Sequence, residues 1–364
     1  MKKLLLAFLG MVLLWGCKKS NDTATSTTPP QNPTPAEPYY YPPLTGDVWE
    51  TKTSASIGWD DALLNQALDY AGTKNSYGIV ILHHGKIVKE RYWNNWTMNT
   101  PYFIASAGKS VAAFIAGIAQ QEGTININNK VSQYLGTGWT SLPLAKENLI
   151  TVKNQLTMTT GLDDGVPDQD CTTPSCLIYK ADAGTRWAYH NAPYHLLQNV
   201  IANASGQTFQ QYSKAKLFTK IGMNNAFWFN YVMYCTTREA SRFGSLILTK
   251  GKWNGTALLN DDAYFNSMVN TSQPYNLSYG YLWWLNGKAS SMVPGSQFVF
   301  QTSLTPSAPT DMIMALGKDD KKIYVVPSLD VVVVRLGDSA GTTTLGPSSF
   351  DNEFWTRLKP AMRF

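Results

Sequence analysis

The strand-like segments of this chain sit at its two ends, and the long stretch between them reads as helices. That separation constrains the fold more than any other feature. "YGIVILHHGKIVKERYW" (Tyr77 to Trp93) holds two β-rich runs around His84-Gly85, a hairpin signal. Far downstream, "DMIMALG", "KKIYVVP" and "LDVVVVRLG" are short runs divided by turn residues, and "SFDNEFWTRLKPAM" reads as a closing helix. An opening helix is expected over Asp60 to Tyr70, where apolar residues recur at helical spacing behind acidic ones. From about Ser106 to Thr249 helical patterns dominate, for example "NAPYHLLQNVIANASG", whose glycine suits a cap. The expected architecture is one α/β (α+β) body in which the terminal strands share a sheet and a helical region, about residues 110–245, is inserted.

The chain has 364 residues, 44% of them hydrophobic, enough for a sizeable core and against disorder of the whole. Net charge is +5, and the basic residues are scattered rather than striped, which argues against nucleic acid as a partner.

The beginning is different. Met1 to Cys17, "MKKLLLAFLGMVLLWGC", has a basic start and an apolar run too short to span a bilayer comfortably, as in an export signal. The ending Leu14-Trp15-Gly16-Cys17 resembles a bacterial lipoprotein box, in which Cys17 becomes the lipidated first residue. Residues 18–45 are rich in Ser, Thr and Pro and poor in aliphatic side chains, so they read as a disordered tether to a body spanning 46–364. The expectation is an exported, membrane-anchored lipoprotein, in the periplasm or at the cell surface.

"YFIASAGKSVAAFIAGIAQQ" (Tyr102 to Gln121) is an almost wholly apolar run of helix length that admits Ser106 and Lys109 and no other charge. A buried ammonium is costly unless paired or neutralised. Residues three apart share a helix face, so Ser106 and Lys109 can present a hydroxyl and an amine to each other. A serine needs a base to become a nucleophile, and a desolvated lysine can serve. Chance also produces Ser-x-x-Lys: Ser213 and Lys216 fit it, but in a polar stretch where both are expected to be solvated.

Downstream come "LTMTTGL" (Leu156 to Leu162) and then Tyr189-His190-Asn191. Ser-Ala-Gly-Lys, this segment and Tyr-x-Asn, in that order, resemble the serine β-lactamase and penicillin-binding-protein superfamily from roughly Trp59 to the C-terminus. The Tyr-x-Asn form is similar to class C β-lactamases, related carboxylesterases, D-amino-acid peptidases and 6-aminohexanoate-dimer hydrolases. The resemblance implies a β-lactamase/transpeptidase-like fold with an antiparallel sheet, and acyl transfer without metal or organic cofactor. It implies Ser106 as nucleophile, Lys109 as its base or the group that shapes its proton traffic, Tyr189 as the second acid/base, a phenol made acidic by the neighbouring ammonium, and Asn191 as a hydrogen-bond partner of Lys109 and the substrate.

Attack on a carbonyl also needs an oxyanion site. Ser106 N–H is one donor. The family takes the second from a strand carrying Lys/His-Thr/Ser-Gly, and here that strand reads Met314-Ala315-Leu316-Gly317-Lys318. Gly317 can occupy the glycine's place with Leu316 before it, but no cation stands two residues ahead. Lys318 could supply one from another position, although a solvated turn lysine in "GKDDKK" is the preferred reading.

His190 and His195 are assigned to packing or substrate lining, and Asp163 and Asp164 to a cap or turn. Cys171 and Cys176 bracket "TTPS" in a compartment where thiols oxidise, so a disulfide is preferred over a metal site; Cys235 is left as a buried thiol. The functional expectation is a monomeric serine hydrolase acting on a small ester, amide or peptide. A β-lactamase or D-amino-acid peptidase is the alternative. Trp283-Trp284 in "SYGYLWWLNGK" leaves a non-enzymatic, glycan-binding lipoprotein as a reading of another class.

Overall fold

The structure is a computed structural model that describes residues 37–343 and 345–364. The export signal, Cys17 and the first part of the tether lie outside the described residues.

Six antiparallel strands form the central sheet, in the order Lys86–Tyr92, Ser76–His83, Val331–Gly337, Lys321–Val326, Ile313–Gly317 and Trp284–Leu285. The early hairpin therefore pairs with the last strand of the chain, Ile79 opposite Arg335 and Val80 opposite Val334. His84 and Gly85 both have positive φ, as a two-residue hairpin turn requires. At Gly85 a Cβ would stand 1.9 Å from the Tyr40 carbonyl oxygen, so no other residue fits there.

Val331–Gly337 is buried at every position, so it carries no polar alternation, and its one charged residue, Arg335, donates to Ser76 Oγ and the Asp320 carbonyl. Helices cover both faces. Successive residues of a strand point to opposite sides. Ile323 and Val332 meet Gly244 of the helix Thr237–Leu248 on one side. On the other, Tyr324 packs edge-on against Trp355 of the closing helix Ser349–Met362 and donates its hydroxyl proton to Asp351. The opening helix Asp61–Gly72, capped by Asp60, packs beside that closing helix.

Between the two strand groups lie the helices, among them Gly108–Gln121, in which Gly108 through Ala119 are all buried. A helix apolar on every side belongs inside a body, not on its surface. A small sheet of Tyr102–Phe103, Val232–Cys235 and Phe227–Phe229 leads into it.

The boundary of the body differs from the sequence expectation. Residues Tyr39 to Leu44, read as tether, belong to the compact unit Tyr39–Phe364. Tyr40 N–H donates to the His84 carbonyl, and Tyr41 packs edge-on against Trp253. The buried Arg242 guanidinium donates to the carbonyls of Pro42 and Pro43. Three tyrosines supply the apolar surface that the Ser/Thr/Pro stretch lacks, and the prolines bring no N–H to satisfy.

Candidate active site

Ser106 lies in a turn of 3-10 helix, Ala105–Ala107, that runs directly into the helix Gly108–Gln121. Ile104 N–H donates to the Met233 carbonyl, and Ala105 then takes a positive φ of 48°. A non-glycine residue in that region is strained, and the strain turns the chain sharply from strand to helix so that Ser106 heads it.

Lys109 follows one turn later. Its Nζ donates to Ser106 Oγ at 3.0 Å and lies over the rings of Tyr189 and Tyr194, at 5.1 and 4.5 Å from their centroids. Only 3% of the residue is exposed, and burial pushes the ammonium down to about 7, with Asp170 pulling weakly the other way. The aromatic faces offset part of the cost of burying the charge, and no carboxylate forms an ion pair with Lys109 among the described residues.

Tyr189 is buried, stacked on Trp284 with ring centroids 5.8 Å apart, and lines the same cleft as Ser106. Burial raises its phenol well above the ordinary value, offset in part by the Ser106 hydroxyl. The expectation of an acidified phenol is thereby corrected. A phenolate is poorly solvated here, so the phenol stays protonated at neutral pH, while the Lys109 amine gains or loses its proton as pH passes about 7.

Asn191 opens the helix Asn191–Ser205 and lines the cleft. Its Oδ1 is buried without a hydrogen-bond partner among the described residues, so the expected bond to Lys109 is not made. A buried acceptor left empty costs free energy unless a ligand or water meets it. His190 and His195 are both buried, and burial pushes each down to about 4, so neither carries charge at neutral pH. His195 stacks on Tyr231 at 4.5 Å, and its Nε2 is 3.8 Å from Asp170.

Gly317 backs onto the nucleophile turn: a Cβ there would lie 2.3 Å from the Ile104 carbonyl oxygen and 3.2 Å from Ala107 N. Only glycine lets the strand approach this closely. Leu316 beside it is buried. Lys318 is exposed, lines the cleft with Ser106, and forms no ion pair among the described residues. The rest of "GKDDKK" is not a solvated turn. Lys322 is buried between Asp320 and Asp351 and donates to the carbonyl of Gly346, which belongs to the cleft wall; Lys321 is buried over the Phe103 ring at 4.1 Å. Charge density in the sequence concealed paired, buried lysines.

The cleft has a volume of about 270 Å³, walled by Trp284, Pro294, Leu345 and Pro347. A slightly larger cavity, about 320 Å³, lies near Phe265, Leu285 and Ile313, but holds none of the residues with acyl-transfer chemistry. Cys171 and Cys176 are joined in a disulfide just after Gln169 and Asp170, at the cleft rim. Trp283 and Trp284 are buried, so they form no paired platform for a sugar. Ser213 is also buried, against expectation, because its position faces inward on its helix; its hydroxyl donates to the Phe209 carbonyl, while Lys216 pairs with Glu122.

A serine with a buried lysine, a tyrosine across the cleft and a glycine strand behind it accords with the result of a family comparison, in which residues 64–301 match the beta-lactamase profile. The chain belongs to the beta-lactamase family. It is thus a member of a family of serine hydrolases with this fold. An uncharacterised protein of Alkalihalophilus pseudofirmus is 21% identical over 72% of this chain and 84% of its own length. Among solved structures, a Bacillus anthracis protein provisionally named a 6-aminohexanoate-dimer hydrolase is similar with a TM-score of 0.65 at 17% identity, covering 88% of each chain. A penicillin-binding protein homologue from Caulobacter crescentus is similar with a TM-score of 0.63 at 12% identity, covering 87% of this chain and 98% of its own. At such identities these structures establish the fold and leave the substrate to the residues of the cleft.

Proposed function

We propose that the protein hydrolyses a small ester or amide through an acyl-enzyme on Ser106. The observation that carries this reading is the 3.0 Å contact between Lys109 Nζ and Ser106 Oγ, with the lysine held near neutrality by burial. Lys109, as the free amine, takes the hydroxyl proton as Ser106 Oγ attacks the carbonyl carbon. The oxyanion is held by Ser106 N–H and by backbone N–H from the Gly317-Lys318 strand end. Tyr189, protonated, relays a proton to the departing alcohol or amine. Lys109 then returns its proton to that relay, and the acyl-enzyme is hydrolysed by a water that Lys109 deprotonates in turn. Asn191 Oδ1, unpartnered in the cleft, accepts from a substrate N–H or O–H.

Every group in this scheme comes from one chain, and we assign the monomer as the working unit. Export and lipidation at Cys17 belong to the same proposal: lipid label on the protein, lost in Cys17→Ser, tests them. The β-lactamase or peptidase alternative is favoured by one observation, the unpaired Lys318 at the cleft, which could meet a substrate carboxylate.

A fluorophosphonate probe tests the central claim. The wild type and Ser213→Ala are expected to be labelled, and Ser106→Ala is not. Labelling that survives Ser106→Ala would sink the assignment.

A further inference from the structure

The Ser106 cleft does not end at its aromatic wall. Gln169 lines it and also lines a second hollow of about 310 Å³ bounded by Asp163, Asp164, Lys180, Arg186 and Gln297. The segment Pro294-Gly295 separates the two, with Pro294 on the Ser106 side and Gly295 on the other. Gln169 is held at the junction: its Nε2 donates to the Asp164 carbonyl and its own carbonyl accepts from Ala192 N–H.

The two lobes differ in chemistry. The Ser106 lobe combines its polar residues, Gln169, Tyr189, Asn191 and Lys318, with walls of tryptophan, proline and leucine, whereas every side chain around the second is polar or charged. Its four ionic groups form two pairs. Arg186 Nη1 is 2.7 Å from Asp164 Oδ1, and Lys180 Nζ is 3.6 Å from Asp163 Oδ2. Two carboxylates and two cations give a formal sum of zero. The pairs are incompletely satisfied: Arg186 Nη1, although close to its carboxylate, is buried without a directed hydrogen bond among the described residues, and Lys180 is half exposed and able to reorient. Beside these pairs, His190 is 2% exposed with neither ring nitrogen bonded among the described residues.

A hollow with fixed charges of both signs and no net charge discriminates by dipole rather than by charge. A single anion is attracted by Arg186 and Lys180 and repelled by both aspartates, and a single cation meets the reverse. A head group carrying both signs can satisfy both pairs at once. We infer that this lobe is the specificity subsite for a zwitterionic, amino-acid-like arm on the substrate, carrying a free ammonium and a free carboxylate, while the scissile carbonyl sits at Ser106. This rests on the acyl-enzyme reading above and names the class of substrate for it. The reaction is unchanged: the ester or amide bond breaks, the acyl group passes to Ser106 Oγ and then to water, and the arm takes part in no covalent step.

The test uses the full-length protein and three p-nitrophenyl esters of equal length whose distal arm is zwitterionic, anionic or cationic, with p-nitrophenyl acetate as a short reference. In the wild type the zwitterionic arm is expected to have the highest kcat/KM of the three, by about 10-fold. Arg186→Gln leaves the lobe with an excess negative charge and should move the preference to the cationic arm. Asp164→Asn should move it to the anionic arm. These are ratios within one variant, so a general loss from misfolding lowers all three arms and leaves their order intact. Opposite shifts in the two variants support the inference. Equal handling of the three arms by a wild type that hydrolyses the acetate and is labelled at Ser106 overturns it while leaving the functional reading standing. Absence of both acetate hydrolysis and Ser106 labelling overturns the two together.

Discussion

Lys109 Nζ lies 3.0 Å from Ser106 Oγ, buried and without a carboxylate partner among the described residues. Both the reactivity of the serine and a cost to the fold follow from that placement. The lysine is pushed down to about 7 from an ordinary value of 10.5. The base is the neutral amine, so kcat/KM should rise with pH through about 7 and level off above it. The stability effect has a definite sign. Between about 7 and 10.5 the unfolded chain binds a proton that the folded chain does not, so stability rises with pH across that window, and the full cost is present below it. Replacing the lysine by an isosteric apolar residue removes that cost. Lys109→Met is expected to lower turnover by at least ~100-fold and to stabilise the fold by about 2 kcal/mol at neutral pH. A denaturation midpoint at or below wild type would show that the lysine is not held at the expense of stability.

Tyr189 offers a sharper kinetic test. Because burial keeps its phenol protonated at neutral pH, it acts as a proton donor to the leaving group, not as the first base. A good leaving group such as p-nitrophenolate needs no proton, and an alkoxide or amine does. Tyr189→Phe should therefore lower kcat/KM for an alkyl ester or amide by ~100-fold or more, and for the p-nitrophenyl ester of the same acid by much less. Equal losses on both would assign the tyrosine to packing against Trp284.

Gln169 and Asp170 line or face the site immediately before a five-residue separation closed by Cys171 and Cys176. So short a closure contributes about 2 kcal/mol on the chain-entropy estimate, small for a body of this size. Its larger effect is local. Reduction, or Cys171→Ser with Cys176→Ser, is expected to raise KM several-fold while the unfolding midpoint moves by only a few degrees. A KM that is unchanged in protein shown by thiol titration to be reduced would separate the disulfide from the site.

The parts of this fold that follow a period were legible in the sequence. The hairpin at His84-Gly85, the late valine-rich strands and the closing helix stand where their patterns put them. The apolar surroundings of Lys109 likewise followed from an all-apolar helix. What a linear pattern does not contain is who meets whom across the fold. "DDKK" reads as solvent-exposed, yet Lys322 is buried because Asp351, far along the chain, completes its ion pairs. Ser213 sits in a polar stretch and is buried because helix phase, not local composition, decides which residue faces inward. The Tyr39–Leu44 segment gave no sign of order because its partner is the guanidinium of Arg242. The second lobe was missed for the same reason: Asp163, Asp164, Lys180 and Arg186 are ordinary surface types in the sequence, and only the chain's return brings them to one hollow.

The strand behind Ser106 bears on β-lactams. Ala315 and Leu316 are buried and apolar where relatives of this kind carry a cation and a hydroxyl, so among the described residues these two positions offer no group to a penicillin carboxylate. Lys318 is the remaining candidate. Its ammonium is exposed, and an exposed charge contributes little because water already solvates it, typically under about 1 kcal/mol. A carboxylate anchored only there gains less than it loses in dehydration. Short-chain aryl ester hydrolysis is therefore expected to exceed that of any penicillin or cephalosporin by at least ~10-fold in kcat/KM. Lys318→Gln should change the ester rate by less than about 2-fold and the small β-lactam rate no more than that. Efficient cephalosporin turnover that collapses in Lys318→Gln would reverse the ranking, and would make this lysine the carboxylate anchor that the strand itself lacks.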